Sequence, residues 1–372
     1  MSWSDGPDRL DIRINGKVTF TDDLTDVQTM SGGGSLTLRS WSGIIPHTVE
    51  ITSSNGTLNH TYFVAGLRRP WDDEARRFLA TQLPALVRQS GIGAEDRVKL
   101  ILAKDGVSGV LKEIDLLRGD YARRLYFTAL IDLARFDSAG VQPILRRVGQ
   151  TFTSDYDRRQ VLEHVASRVA LDQPGAAAYV QAMATMKSDY DQREALSALT
   201  RHGGAAIGGE AMLPALANMK SSYDKRVVLA DMLDRGGLGV EAQRAVLAGV
   251  PGLQSDYDRR QVLTRFIQRF GVDAAVREPF FAAVRAITSS YDRREVLTAL
   301  ATKGSAGREV QDAVFGAVAD MTSDFDRAET LLAFVPTINA ASRPAFVSAA
   351  ERITSSHDQN RVLAALVRAE RR

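Results

Sequence analysis

SDYDRRQVL occupies residues 154–162, and the same nine residues return at 255–263. Sliding the chain along itself recovers SDYDQREAL from 188, SSYDKRVVL from 221, SSYDRREVL from 289, SDFDRAETL from 323 and SSHDQNRVL from 355. Successive starts lie 34, 33, 34, 34, 34 and 32 residues apart. GDYARRLYF at 119–127 fits one further unit 35 residues upstream, and GAEDRVKLI at 93–101 reads as a shorter, decayed one. A fixed period of this length is the signature of a repeat architecture, in which each unit stacks on its neighbours.

Each unit reads as two helices. After the motif, apolar residues fall at helical spacing, as in Val262, Leu263, Phe266, Ile267 and Phe270. A link carrying Gly or Pro follows, such as Gly271 or Pro174-Gly175. A second apolar stripe then runs up to the next motif: Phe281, Val284 and Ile287 in one unit, Phe315, Val318 and Met321 in the next. Two helices of about 12–15 residues with short turns fill such a period. A lone hairpin cannot cover its own apolar face, so the expected fold is mainly α. It is a right-handed α-solenoid of about eight two-helix repeats, preceded by a small antiparallel β domain. A tetratricopeptide reading fails, because Trp3, Trp41 and Trp71 all lie outside the array. The units resemble HEAT or armadillo-type hairpins, whose repeats also carry Asp and Arg or Lys able to ladder between neighbours.

The motif opens with a serine and an aspartate three residues later, the pattern of a helix capping box. The pairs are Ser154 with Asp157, Ser188 with Asp191, Ser221 with Asp224, Ser255 with Asp258, Ser289 with Asp292, Ser323 with Asp326 and Ser355 with Asp358. In that box the serine oxygen accepts from an early backbone N–H, and the aspartate accepts from the serine N–H in return. Asp157 and Arg158 precede the core pair Val161 and Leu162 by four residues, so they share its helix face. Arg158, and likewise Arg259, Arg293 and Arg327, is expected to give its guanidinium to an aspartate or a carbonyl next door. Tyr156, Tyr190, Tyr223, Tyr257 and Tyr291 are expected to wedge into the same seam. On this reading the motif is a structural joint. The competing reading is a row of Tyr, Asp and Arg displayed for a ligand.

Residues 10–66 have another texture. LDIRINGKVTF sets Asn15-Gly16, and HTVEITSSNGTLNHTYFV sets Asn55-Gly56, between alternating apolar residues, the pattern of a β-hairpin. SLTLRSW adds a strand after the glycine-rich SGGGS at 31–35. The expectation is a disordered leader at 1–9, a β domain of four or five strands at 10–70, a helical linker and capping repeat at 71–118, and a HEAT-like solenoid at 119–372. Asp72 or Asp73 is expected to cap a helix running to about residue 90, which Pro84 would kink or split and Gly91 would end. FTDD at 20–23 and SGGGSLTL at 31–38, followed by SDYDRR-type repeats, resemble the extracytoplasmic regions of bacterial membrane zinc metallopeptidases of the antibiotic-sensor type. The resemblance implies an extracytoplasmic, membrane-tethered origin. It does not bring peptidase activity, because the family's H-E-x-x-H is missing.

The chain has 372 residues, 44% hydrophobic and 25% charged, which suits a protein able to bury a sizeable core. Lys+Arg 47 against Asp+Glu 45 gives a net charge of +2, too small to argue for nucleic-acid binding. Zero cysteines exclude disulfides, thiolate metal sites and cysteine nucleophiles. No run of 18 apolar residues occurs, so no membrane insertion by this chain is expected, and MSWSDGPDRL lacks the apolar core of a signal peptide. The expected location is extracytoplasmic if the chain is trimmed from a longer protein, and cytoplasmic otherwise.

The histidines His47, His60, His164, His202 and His357 show no metal-ligand spacing, although His47 and His60 are placed to face each other across the second hairpin. Ser31-Gly-Gly-Gly-Ser35 lacks the Lys-Ser/Thr of a phosphate loop and reads as a flexible turn. Asp22, Asp23 and Asp26 read as a polar turn rather than a cation loop. The Gly-Gly pairs at 203–204, 208–209 and 236–237 read as links within hairpins. No catalytic site, cofactor site or metal site is expected. The leading function is a non-enzymatic scaffold that binds a protein or peptide. The alternatives are a regulatory or sensor ectodomain of a membrane peptidase system, a nucleic-acid-binding HEAT-like protein, and, least supported, a hydrolase or lyase with a dispersed site.

Overall fold

Alternation of apolar and polar residues builds the amino-terminal sheet. The computed structural model describes residues 2–5, 10–42, 44–235, 238–303 and 307–371. Its strands are β1 (Ser2–Asp5), β2 (Leu10–Asn15), β3 (Val18–Phe20), β4 (Val27–Met30), β5 (Ser35–Ser42), β6 (Ile45–Ser54), β7 (Thr57–Val64) and β8 (Leu67–Arg69). Six of them form one antiparallel sheet in the order β1-β2-β5-β6-β7-β8, while β3 and β4 pair separately. This exceeds the four or five strands expected.

Asn55-Gly56 forms the predicted two-residue hairpin turn, with Ser54 opposite Thr57 and φ of 53° and 78° at the two turn residues. Asn15-Gly16 does not. Asn15 pairs with Ser35 of β5, and the chain after Gly16 leaves the large sheet to make the β3–β4 ribbon. Four residues of the expected disordered leader form β1 against β2; residues 6–9 lie outside the described residues. The SGGGS stretch is a bonded turn, with Gly33 N–H donating to the Ser53 carbonyl at 3.1 Å and Ser53 N–H to that of Gly34 at 3.0 Å.

Leu10, Ile12, Leu36, Leu38, Val49, Ile51 and Tyr62 share one core with Ala75, Leu79, Leu83, Leu86 and Val87 of α1 (Asp73–Ser90). Each large aliphatic side chain buried there contributes about 1.5–3 kcal/mol. Asp72 caps α1 by accepting from Glu74 N–H at 3.0 Å and Ala75 N–H at 3.3 Å, and Gly91 ends it at φ 68°. The helix runs on through Pro84 without splitting, held by its apolar face on the sheet. α2 (Ala94–Leu116) is broken at Gly106, with φ 65° and ψ −165°, into two short helical arms. These arms occupy residues read from the sequence as a decayed unit.

The repeats follow as motif helix and partner helix in turn. They are α3 (Asp120–Ala134) and α4 (Ser138–Thr151), α5 (Asp155–Arg168) and α6 (Gln173–Ala182), α7 (Asp189–Leu199) and α8 (Ala205–Asn218), and α9 (Ser222–Asp234) and α10 (Val240–Gly249). Next come α11 (Asp256–Phe270) and α12 (Arg277–Arg285), α13 (Ser290–Thr302) and α14 (Arg308–Ala319), α15 (Asp324–Phe334) and α16 (Arg343–Glu351), with α17 (Ser356–Glu370) closing the series. The glycines at 203–204 and 208–209 do not sit in an open link. A π turn at Thr200–Gly204 carries α7 into α8, and residues 208–209 lie within α8. The pair at 236–237 lies outside the described residues.

The chain divides into two compact units, residues 1–136 with 150–168 and residues 137–149 with 169–372. The first holds the sheet, α1, α2, α3 and α5, so the division does not follow the boundary expected after residue 118. In the second unit the helices form two layers. The motif helices α7, α9, α11, α13, α15 and α17 each pack on the next, and so do the partner helices α6, α8, α10, α12, α14 and α16. Such nearest-neighbour packing lets one interface geometry be reused along the chain. Among the described residues no helix is long and apolar enough to cross a membrane.

Candidate functional site

The motif reappears in the fold as a set of bonds repeated from helix to helix. The serine accepts from the N–H of the aspartate three residues on, at 3.1–3.3 Å, in all seven predicted pairs: Ser154 with Asp157, Ser188 with Asp191, Ser221 with Asp224, Ser255 with Asp258, Ser289 with Asp292, Ser323 with Asp326 and Ser355 with Asp358. The reciprocal half of the box is different from the expectation. The serine N–H donates to the residue at the second motif position of the preceding unit. Ser154 N–H reaches Asp120 at 2.6 Å, Ser221 reaches Asp189 at 2.7 Å, Ser289 reaches Asp256 at 2.8 Å and Ser355 reaches Asp324 at 2.8 Å. Where a serine replaces that aspartate its hydroxyl does the same work: Ser222 accepts from Ser255 N–H at 3.4 Å, and Ser290 from Ser323 N–H at 3.3 Å. The local cap is thus turned into a bond between repeats. Asp191 stands half-buried and donates its backbone N–H to Ser188 at 3.2 Å.

This substitution frees the fourth-position aspartate for another partner, the arginine at the sixth position of the preceding unit. The rungs include Arg124–Asp157 at 2.8 Å, Arg193–Asp224 at 2.8 Å, Arg226–Asp258 at 2.7 Å, Arg260–Asp292 at 2.9 Å and Arg294–Asp326 at 2.8 Å. The fifth-position arginines take the other predicted partner, a carbonyl. Arg158 donates to the Phe152 carbonyl at 2.5 Å, and Arg259 and Arg293 donate to those of Leu253 and Ile287. Arg327 donates to the Arg352 carbonyl at 2.9 Å and to Asp324 at 2.8 Å. Residues outside the predicted joint therefore carry much of it: Asp120, Asp189, Asp256 and Asp324, and the sixth-position arginines. Their signal was present in the sequence as the recurrence of a second arginine and of Asp or Ser at the second position.

The tyrosines do not wedge into the seam. Tyr190, Tyr223, Tyr257, Tyr291 and Phe325 are between 50 and 58% exposed, and Tyr121 and Tyr156 are similar. Each lies against the guanidinium that forms the rung beneath it. In the second unit, Arg226 is 5.1 Å from the Tyr223 ring centroid; Arg260 is 5.2 Å from Tyr257 and 5.4 Å from Tyr291; Arg294 is 4.9 Å from Tyr291 and 5.7 Å from Phe325. In the first unit Arg124 lies 5.1 Å from Tyr121 and 5.8 Å from Tyr156. Cation–π contacts of this kind orient the rings while leaving one face open. His357 stands at the aromatic position of the last unit, exposed and 3.5 Å from Asp358.

The histidines fall into separate contacts. His47 pairs in register with Val64 and His60 with Ile51, so the two do not face each other. His47 Nδ1 is 2.6 Å from the Tyr62 hydroxyl, and its ring stacks on Phe78. His60 is 2.9 Å from Asp26 and stacks on Trp71. Asp23 and Asp26 close a polar turn with Thr21, Thr25 and Val27. His164 is 2.9 Å from Asp132. Among the described residues no group of three or more His, Asp or Glu is placed to hold a metal. A buried ion cluster that sequence reading missed joins α1 and α2. Glu113 accepts from Arg88 at 2.9 and 3.3 Å and lies 3.9 Å from Arg97. No protein-family model, curated protein or solved structure matches the chain.

The joint has a pH dependence whose sign follows from its bonds. Burial pushes the Asp120 and Asp256 carboxyls up, but bonds from Thr153, Ser154 and Arg123, and from Thr288, Ser289 and Arg259, outweigh it and hold both below the ordinary 3.8. At Asp324 the Thr354 hydroxyl leads the same downward shift. A carboxylate with a depressed folded value contributes stability above its unfolded value, and that stability is lost as pH falls through the folded one. The loss is therefore expected to begin near the ordinary value of 3.8 and to deepen below it. Asp256→Ser, which installs the residue found at 222 and 290, should cost about 1 kcal/mol at pH 6. By urea denaturation that difference should shrink progressively as the pH is lowered below the ordinary 3.8.

Proposed function

We propose that the chain is a non-enzymatic scaffold that binds a protein or peptide, built on a HEAT-like α-solenoid. The observation that carries this reading is the open aromatic row. The fold needs the rungs, since they join repeats, but it gains little from an aromatic ring left half in water at each one. Large exposed apolar or aromatic rows mark interaction surfaces. Tyrosine in particular offers a rigid, amphipathic contact at low entropic cost. A nucleic-acid ligand is disfavoured because the arginines of the row are matched by carboxylates, leaving little excess charge for a phosphate backbone. The regulatory ectodomain of a bacterial membrane peptidase system is a special case of the scaffold, supported by the wording of the sequence around residues 20–38.

Panning a random peptide library on the immobilised full chain tests the reading. Enriched peptides should compete with one another, and their binding should fall at least about tenfold when Tyr223, Tyr257 and Tyr291 are all replaced by alanine. A library that yields no enriched peptide, or peptides indifferent to the triple substitution, would refute it.

A further inference from the structure

The spacing of the row points to the conformation of its ligand. Arg260 lies between the rings of Tyr257 and Tyr291, at 5.2 and 5.4 Å from their centroids, and Arg294 between Tyr291 and Phe325, at 4.9 and 5.7 Å. Tyr257 and Tyr291, and Tyr291 and Phe325, are thus no more than about 11 Å apart, in keeping with the 8–10 Å between the axes of packed helices. A polyproline II chain has three residues per turn and a 3.1 Å rise, so it presents the same face every 9.3 Å or so. One turn of such a chain fits within that limit. We propose that the row Tyr223, Tyr257, Tyr291 and Phe325 is a docking track for an uncharged, proline-bearing segment in the polyproline II conformation, a proposal that rests on the peptide-binding reading above.

Three further features favour this occupant. The first is charge. Arg193 faces Asp224 and Glu194, Arg226 faces Asp258, Arg260 faces Asp292, and Arg294 faces Asp326 and Glu295, so the guanidiniums of the row are already matched. A neutral ligand complements that surface, whereas an acidic one would have to compete with these carboxylates. The second is hydrogen-bonding capacity. The phenols of the row readily donate, while a proline-rich backbone offers carbonyls and few N–H groups. The third is shape. A ligand helix needs anchors at i, i+3, i+4 and i+7 entering a groove, and an added strand needs an open sheet edge; a single row of rings on helix ends supplies neither.

The test uses the full chain and fluorescein-labelled Pro-Pro-Ala repeat peptides of about 6, 9, 12 and 15 residues, read by fluorescence anisotropy. Affinity should rise with each triplet until the track is filled, at roughly 12 residues, and then level off. Tyr223→Ala/Tyr257→Ala/Tyr291→Ala should weaken binding at least about tenfold. The matching Tyr→Phe triple, which keeps the rings and guards against a folding defect, should stay within about threefold of the parent. No binding of the longest peptide at about 1 mM, or equal binding by the alanine triple, overturns the proposal. If proline-free library peptides bind through the row while the Pro-Pro-Ala series does not, the polyproline II assignment falls and the scaffold reading stands. If neither class binds, both fall.

Discussion

Glu113→Ala is expected to lower the unfolding free energy of the first unit by about 3–5 kcal/mol, because it strands two guanidiniums around a buried site. Glu113 is 7% exposed, and it receives both Nε and Nη2 of Arg88 while Arg97 stands 3.9 Å away. Arg97 is itself tied at 2.5 Å to the carbonyl of Asp22 in the turn before β4, so the cluster links that turn to α2. Nearby, burial, reinforced by the charge of Glu113, pushes the hydroxyl of Tyr126 well above the ordinary tyrosine range. Removing the carboxylate strips Arg88 of its partner and leaves Arg97 only the Asp22 carbonyl, in a place water reaches poorly. Arg88 is partly exposed and relieves some of this, so the low end of the range is the expected value. Urea denaturation followed by circular dichroism gives the number. A loss below about 1 kcal/mol would mean that the cluster is solvated and not structural.

Asp258→Ala is the second large effect, expected at about 2–3 kcal/mol. Asp258 is buried, and its carboxylate sits 2.7 Å from Arg226 of the preceding motif helix. The substitution leaves the Ser255 cap in place, because that bond is accepted by the serine and donated by the backbone of residue 258. What it removes is the rung. Arg226 retains its contact with the Tyr223 ring, 5.1 Å away, which limits the loss. The effect should appear in the urea midpoint with little change in helical content, since each motif helix keeps its own backbone bonds.

These expectations separate what was readable in the sequence from what was not. The repeat period, the serine caps and the motif helices beginning at residues 120, 155, 189, 222, 256, 290, 324 and 356 are local properties, and they stand in the fold as predicted. The return bond of the capping box failed because a partner 31–34 residues away competes for the same serine N–H, and pairing across repeats leaves no local trace. The tyrosines failed for a reason the helical wheel contains. At about 100° per residue, Tyr257 lies roughly 120–140° from Val262 and Leu263, on the side away from the core. Asp258 lies about 40° from Val262, and Arg259 about 40° from Leu263. The motif is therefore two-faced, a joint on one side and a display on the other. In the sheet, Asn55-Gly56 worked because its strands are true neighbours. Asn15-Gly16 misled because the partner of β2 comes 20 residues later, after the β3–β4 excursion. Glu113 gave no signal at all, since a buried acid in an amphipathic helix reads like a solvated one until its partners are seen.

The claim at the centre is that the motif joins consecutive repeats through its aspartate and the arginine of the unit before. A double-mutant cycle on Arg226 and Asp258, each replaced by alanine singly and together, measures that bond directly by urea denaturation of the full chain. The two losses should be strongly non-additive, with a coupling of about 1–2 kcal/mol between residues 32 positions apart. Additive losses, with coupling below about 0.3 kcal/mol, would show that the rung carries no stability and contradict the account.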